Sequence, residues 1–66
     1  MIAPRYSCKF GNGDGAERVI VVDLPTDEIE RARGREIVAM AYALRHAYSQ
    51  VPDDFRHHDV TPMWAN

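Results

Sequence analysis

Residues 25–51, PTDEIERARGREIVAMAYALRHAYSQV, form the longest stretch with a helical pattern, and they decide the fold of this 66-residue chain. Pro25 and Thr26 mark the start, because a threonine hydroxyl can accept hydrogen bonds from the free amides of a first turn. Pro52 marks the end, since it disfavours the helical conformation of the preceding Val51. At about 100° per residue, one band of apolar side chains runs along this helix, as expected for packing on a sheet. The predicted core face contains Ile37, Met40, Ala41, Leu44, Tyr48 and Val51.

One irregularity lies between Glu30 and Gly34, where polar residues and a glycine take positions that the apolar band would otherwise fill. Glycine in a helix interior costs about 1 kcal/mol relative to alanine. We therefore expect a kink, a frayed beginning, or a short separate helix before the main one. We favour the interpretation that these residues extend past the edge of the sheet into solvent over the interpretation that they form a functional hinge.

A β-hairpin is predicted before the helix, over residues 5–24. Apolar and polar residues alternate from Arg5 to Phe10, and residues 17–24 are rich in β-branched side chains. The connecting residues 11–15, GNGDG, are of the types that accept positive φ in turns. A connection of three or five residues pairs Lys9 with Glu17 and keeps the apolar residues on one face. These residues are Tyr6, Cys8, Phe10, Ile20 and Val22.

The tail, residues 52–66, is harder to place. Its segment 58–63 is compatible with a third strand, which Pro62 would confine to the edge of the sheet. We expect its large apolar side chains to be covered: Phe55, Met63 and Trp64. The predicted class is α+β, with a β-hairpin packed on one long helix in a single domain. The order is ββα, or ββαβ if the tail pairs.

The small size of the chain predicts self-association. A chain of this length buries only about 60% of the surface that its unfolded form exposes, so it needs a disulfide, a metal or a partner. The single cysteine, Cys8, excludes an internal disulfide, and no Cys/His framework resembles a zinc site. We therefore predict a homodimer. With no apolar span and no signal peptide, we expect a cytoplasmic protein without a membrane partner.

Two apolar surfaces outside the predicted core are candidates for binding a second copy or another protein. The side of the helix opposite the predicted core face carries small residues that would let another helix approach closely. The reverse side of the hairpin carries two valines that no later segment covers. The predicted interaction residues are Val38, Ala39, Tyr42, Ala43, Val19 and Val21.

Nucleic-acid binding is the alternative function. Basic groups one helical turn apart with an aromatic residue among them can contact phosphates and stack on a base. A net charge of −2 argues against a general binder of polyanions, and an ordinary solvated face is the simpler interpretation. The candidate residues are Arg31, Arg35, Tyr42, Arg45 and His46.

No pattern predicts catalysis, a metal or a cofactor. The GNGDG segment matches neither of the common phosphate-binding fingerprints and is predicted to be a hairpin turn. His57 and His58 are metal-ligand types, but neighbours on a strand point to opposite faces. Cys8 is predicted to be buried, with a raised pKa. The sequence therefore predicts a non-enzymatic adaptor, inhibitor or accessory protein that binds another macromolecule, a protein in preference to a nucleic acid.

Overall fold

The computed structural model describes residues 2–64 and contains one antiparallel sheet and two helices. The α+β class is confirmed, and the tail supplies the third strand. The sheet order is β2-β1-β3, so the first strand lies in the middle. In chain order the elements are β1 (Arg5–Gly11), β2 (Glu17–Asp23), α1 (Thr26–Ala32), α2 (Glu36–Tyr48) and β3 (Arg56–Met63).

The hairpin forms as predicted, but its register differs by two residues. Lys9 pairs with Val19 rather than with Glu17, because the connection runs from Asn12 to Ala16. The Asn12 side-chain oxygen accepts from the backbone N–H groups of Asp14 and Ala16, both at 3.0 Å. This asparagine therefore organises the turn, one residue further along than predicted. A shift of two keeps every side chain on its face.

β3 pairs antiparallel with the other side of β1, and it begins at Arg56 rather than at His58. A bulge interrupts the pairing, since Lys9 lies opposite Asp59 while Phe10 lies opposite His57. Pro62 lies on this edge strand, as predicted. Phe55 is buried, but Met63 and Trp64 are 38% and 50% exposed, so the expectation that all three are covered is wrong. Residues 65 and 66 of the predicted tail lie outside the described residues.

The predicted single helix is two helices. Arg33 and Gly34 both adopt left-handed conformations, with φ of 52° and 77°, which end α1 and redirect the chain before α2. The backbone N–H of Arg35 donates to the Ala32 carbonyl at 3.0 Å and closes this turn. A short separate helix is therefore the correct alternative, because glycine accepts this conformation without steric cost. The Thr26 cap is wrong, since Pro25 holds the N-cap position without a side-chain hydrogen bond.

α2 lies on the sheet through alanines, so the predicted core face is only partly correct. Its members Met40, Leu44, Tyr48 and Val51 are half-buried and pack against the core, but the fully buried residues of the helix are different ones. Ala39, Ala43 and Ala47 are each 0% exposed, whereas Ile37 is 78% exposed and Ala41 is also exposed. A ridge of small residues lets the helix backbone approach the sheet closely, which leaves the larger side chains to one side. Ala39 and Ala43 therefore belong to the core and not to an outer interaction face.

The core lies between the sheet and the helices. The side of the sheet that faces α2 carries Tyr6, Cys8 and Phe10, all 0% exposed, and is called the helix side below. The opposite side is called the open side. Among residues 2–64 there is no helix with the length and apolar character needed to cross a membrane. The buried apolar residues are Ala3, Tyr6, Cys8, Phe10, Val22, Leu24, Ala32, Ala39, Ala43, Ala47 and Phe55.

Candidate functional site

A groove lies between α2 and β3 on the helix side of the sheet. Its volume is about 520 Å³. Its wall is a stripe of α2 residues spaced i, i+3, i+4 and i+7, the spacing of a helix face that packs against another element. We call it the α2–β3 groove. It is lined by Ile37, Met40, Ala41 and Leu44 of α2 and by His57, His58, Asp59 and Val60 of β3.

The groove exists because the helices cover only part of the sheet. α2 contacts β1 and β2 more extensively than it contacts β3. α1 packs beside α2, where Glu28 Oε1 lies 2.7 Å from His46 Nε2. His46 is two positions after Leu44, or about 200° around the helix, so α1 and the groove lie on opposite sides of α2. No helix among residues 2–64 therefore occupies the place above β3.

The two histidines of the tail have separate partners. His57 Nδ1 lies 2.8 Å from the Tyr48 hydroxyl, whereas His58 Nε2 lies 3.8 Å from Glu17 Oε2. Within residues 2–64 there is no group of three or more His, Cys, Asp or Glu side chains placed to hold a metal ion. The side-chain contacts of His57 and His58 thus tie β3 to α2 and to β2.

The predicted basic stripe is divided between two helices. Arg31 lies on α1, where it forms an ion pair with Asp27 one turn earlier. His46 lies on α2 and faces the Glu28 carboxylate, whose side chain is only 12% exposed. Carboxylates therefore offset two of the basic groups proposed for phosphate contacts. Nucleic-acid binding through Arg31, Arg35, Tyr42, Arg45 and His46 stays a prediction that no observation favours.

The open side of the sheet carries Val19 and Val21, which are 58% and 50% exposed. Their positions on this side are as predicted, while their role in binding stays a prediction. Beside them, Arg5 Nε pairs with Asp23 Oδ1 at 2.5 Å across the strands. This ion pair is largely exposed and contributes little to stability. The valines thus form an apolar centre with charged residues at one end.

Cys8 is buried, as predicted. Burial raises the pKa of its thiol, because the thiolate would lose its solvation in the core. The reactive form is therefore depleted, and the side chain acts as a small hydrophobic group.

Sequence reasoning missed the α2–β3 groove, because it assigned the groove wall to the core. The available signal was the second apolar repeat of α2, with alanines at positions 39, 43 and 47. A helix with a large-residue stripe and an alanine stripe can face the sheet with either one. Only the packing shows which stripe is left outside.

Comparison of the chain with protein-family models, with curated proteins and with solved structures gives no match. The α2–β3 groove and the exposed Val19 and Val21 on the open side of β2 are therefore the features that point to a function.

Proposed function

We propose that this chain is a small non-enzymatic interaction protein that acts as a homodimer and binds a partner protein through the α2–β3 groove. The observation that carries the proposal is Ile37, which is 78% exposed at one end of a stripe with helix-contact spacing. Single exposed apolar residues are ordinary, but a continuous apolar stripe that walls a groove is typical of an interaction surface. The groove replaces the helix residues Val38 and Tyr42 as the proposed protein-binding face.

The chemistry of the groove favours an amphipathic helix as the bound segment. The wall on α2 is apolar, whereas the floor is formed by β3, where the imidazole of His57 lies beside Tyr48. The side chains of His58 and Asp59 lie on the open side of the sheet, near Glu17 and Thr61. A helix that lies above β3 would extend the helical layer, at the usual interaxial distance of about 8–10 Å from α2. Its apolar residues would contact Ile37 and Leu44, and its polar residues would face β3. Recognition of this kind relies on a few apolar anchors spaced along the bound helix.

Site-specific photo-crosslinking in cells that express the chain tests this proposal. A photoreactive residue at position 37 is expected to give a discrete adduct with one protein, while the same residue at exposed position 50 gives none. Ile37→Glu should reduce recovery of that protein at least tenfold. Gln50→Glu adds the same charge at another exposed site and should leave recovery unchanged. Equal recovery with both variants would contradict a role for the groove.

A further inference from the structure

The outer edge of β2 presents a regular row of peptide groups that pair with no other strand among residues 2–64. At one end of the row the Glu17 carbonyl accepts a hydrogen bond from the Arg18 guanidinium at 3.0 Å. Hydrogen bonds from Asn12 N–H to the Ala16 carbonyl and from Leu24 N–H to the Pro4 carbonyl lie at the two ends of the hairpin ladder. Residues on an antiparallel strand alternate in direction, so the even-numbered residues of β2 bond to β1. The odd-numbered residues therefore point their N–H and C=O groups away from β1. They are Glu17, Val19, Val21 and Asp23, and all four side chains are exposed.

The two edges of the sheet differ in how they resist pairing with another strand. β3 contains a bulge beside Phe10 and also Pro62, which lies opposite Tyr6. Because the peptide groups of Tyr6 face β2, the missing N–H of Pro62 is on the outer edge. Bulges and edge prolines are common means of preventing strand addition. β2 has a regular register and no proline, and its exposed side chains include Val19 and Val21.

We propose that β2 pairs antiparallel with β2 of a second copy, so that the two sheets join into one six-stranded sheet. The occupant is a second copy because the outward peptide groups and the two valines of β2 match their own equivalents about a twofold axis. A twofold axis at Ile20 places Val19 opposite Val21 of the other copy on the open side, and Ile20 opposite its own equivalent on the helix side. The half-buried Ile20 is then covered. Each of the four outward residues meets another outward residue, which completes the ladder.

The length and charge of the edge set the strength of this dimer. Seven residues at about 3.4 Å each give an edge about 24 Å long. Contact along one strand edge of this length buries less surface area than a permanent interface does. Glu17 lies opposite Asp23 of the other copy, although Arg5 pairs with that aspartate. Two exposed contacts between like charges weaken the dimer at low salt. The dimer is therefore expected to dissociate at micromolar concentrations and to tighten as salt is added.

The dimer gives the grooves a defined arrangement, and this step rests on the proposed function. A twofold axis perpendicular to the sheet keeps both helical layers on the same side of the molecule. The two β3 strands then lie at opposite edges, five strand spacings or about 24 Å apart. Two α2–β3 grooves on one surface would bind two copies of a partner, or two segments of one partner, with the gain in affinity that bivalence provides.

Sedimentation equilibrium from about 1 μM to about 1 mM tests the dimer. The wild-type chain is expected to change from 7.5 kDa to twice that mass within this range. Val21→Lys places a charge on the edge and should raise the dissociation constant at least tenfold without changing the circular dichroism spectrum. Thr61→Lys adds the same charge to an exposed position of β3 and should dimerise like the wild type.

A second variant distinguishes backbone pairing at the outer edge of β2 from side-chain contacts on the open side of the sheet. N-methylation of the Val21 backbone by chemical synthesis removes one outward N–H and leaves the side chain unchanged, so it should also raise the dissociation constant at least tenfold. A wild-type chain that stays at 7.5 kDa throughout, or an N-methylated chain that dimerises normally, would overturn the proposal. Ile37→Glu should leave dimerisation intact while it abolishes crosslinking at the groove. Partner binding at the groove and strand pairing at β2 can therefore fail separately, whereas a chain that stays monomeric would also contradict the homodimer of the proposed function.

Discussion

The Tyr48 hydroxyl oxygen accepts a hydrogen bond from the backbone N–H of His57 at 3.0 Å and lies 2.8 Å from His57 Nδ1. Tyr48 is the last residue of α2, and His57 is the second residue of β3. The Tyr48 ring also meets Phe10 edge-on, with centroids 4.9 Å apart. One side chain thus joins the end of the helix to the edge strand and holds the wall and the floor of the α2–β3 groove together.

Tyr48→Phe is expected to lower the free energy of unfolding by about 1 kcal/mol, because it removes the hydroxyl that bonds to His57. Tyr6→Phe is the matched control. The Tyr6 hydroxyl is buried and makes no hydrogen bond of normal geometry within residues 2–64, although the Ala3 backbone lies near enough to offset part of the rise in its pKa that burial causes, so its removal should cost less than removal of the Tyr48 hydroxyl. Urea unfolding of both variants at pH 7 makes the comparison. Equal losses in the two variants would contradict the assigned hydrogen bonds.

The sign of the stability change caused by Gly34→Ala distinguishes two separate helices from one continuous helix. Gly34 has a φ of 77°, and no atom of residues 2–64 lies within 4 Å of an added Cβ, so the cost of alanine is conformational. We expect a loss of about 1 kcal/mol, whereas in a continuous helix the same change would stabilise by about 1 kcal/mol. Gly13 is equally uncrowded and lacks the positive φ, so Gly13→Ala should be neutral or slightly stabilising. Thermal unfolding monitored by circular dichroism measures both variants.

Ala43→Leu and Ala41→Leu test which side of α2 faces the sheet. Ala43 is 0% exposed beneath the helix, so a larger side chain should separate helix and sheet at a cost of about 1–3 kcal/mol. Ala41 is exposed at the groove, and leucine there should change stability by less than about 0.5 kcal/mol. The midpoints of urea unfolding measure both changes in stability, provided that the free energy of unfolding depends on urea concentration with the same slope in each variant. If Ala41→Leu instead cost more stability than Ala43→Leu, the stripe of large residues would face the sheet, as the sequence pattern predicts.

The stability of the chain should fall in alkaline solution. Burial raises the pKa of the Cys8 thiol above its ordinary 9.0, and burial with the nearby Glu36 charge raises the pKa of Tyr6 above 10.0. The unfolded chain therefore releases these protons first, so stability is complete below about pH 9 and declines above it. The decline cannot exceed about 1.4 kcal/mol per pH unit for each group.

Cys8→Ala isolates the contribution of the thiol to this alkaline decline. The variant should be less stable at every pH, since it leaves space in the core, but its loss between pH 9 and pH 10 should be smaller than that of the wild type. Urea unfolding at pH 8, 9 and 10 tests this difference. Identical slopes for the two chains would show that the Cys8 thiol does not contribute to the alkaline decline.

Most of the sheet could be predicted because its signals are local. Alternation from Arg5 to Phe10 places Tyr6, Cys8 and Phe10 on one face whatever the register, since side chains on a strand repeat every two residues. Pro62 indicates an edge strand because proline cannot donate to a ladder. Gly34 marks a break, because glycine is costly inside a helix and inexpensive at its end.

Sequence patterns alone therefore predict the α+β class and the buried face of the hairpin, and they predict an edge position for the tail strand if the tail pairs. Only the tertiary structure decided the hairpin register, through the hydrogen bonds of Asn12, and the orientation of α2. That helix is apolar on two sides, and periodicity cannot rank a stripe of large residues above a stripe of alanines. The alanines face the sheet because close backbone approach requires small side chains, and this choice leaves Ile37 at the α2–β3 groove.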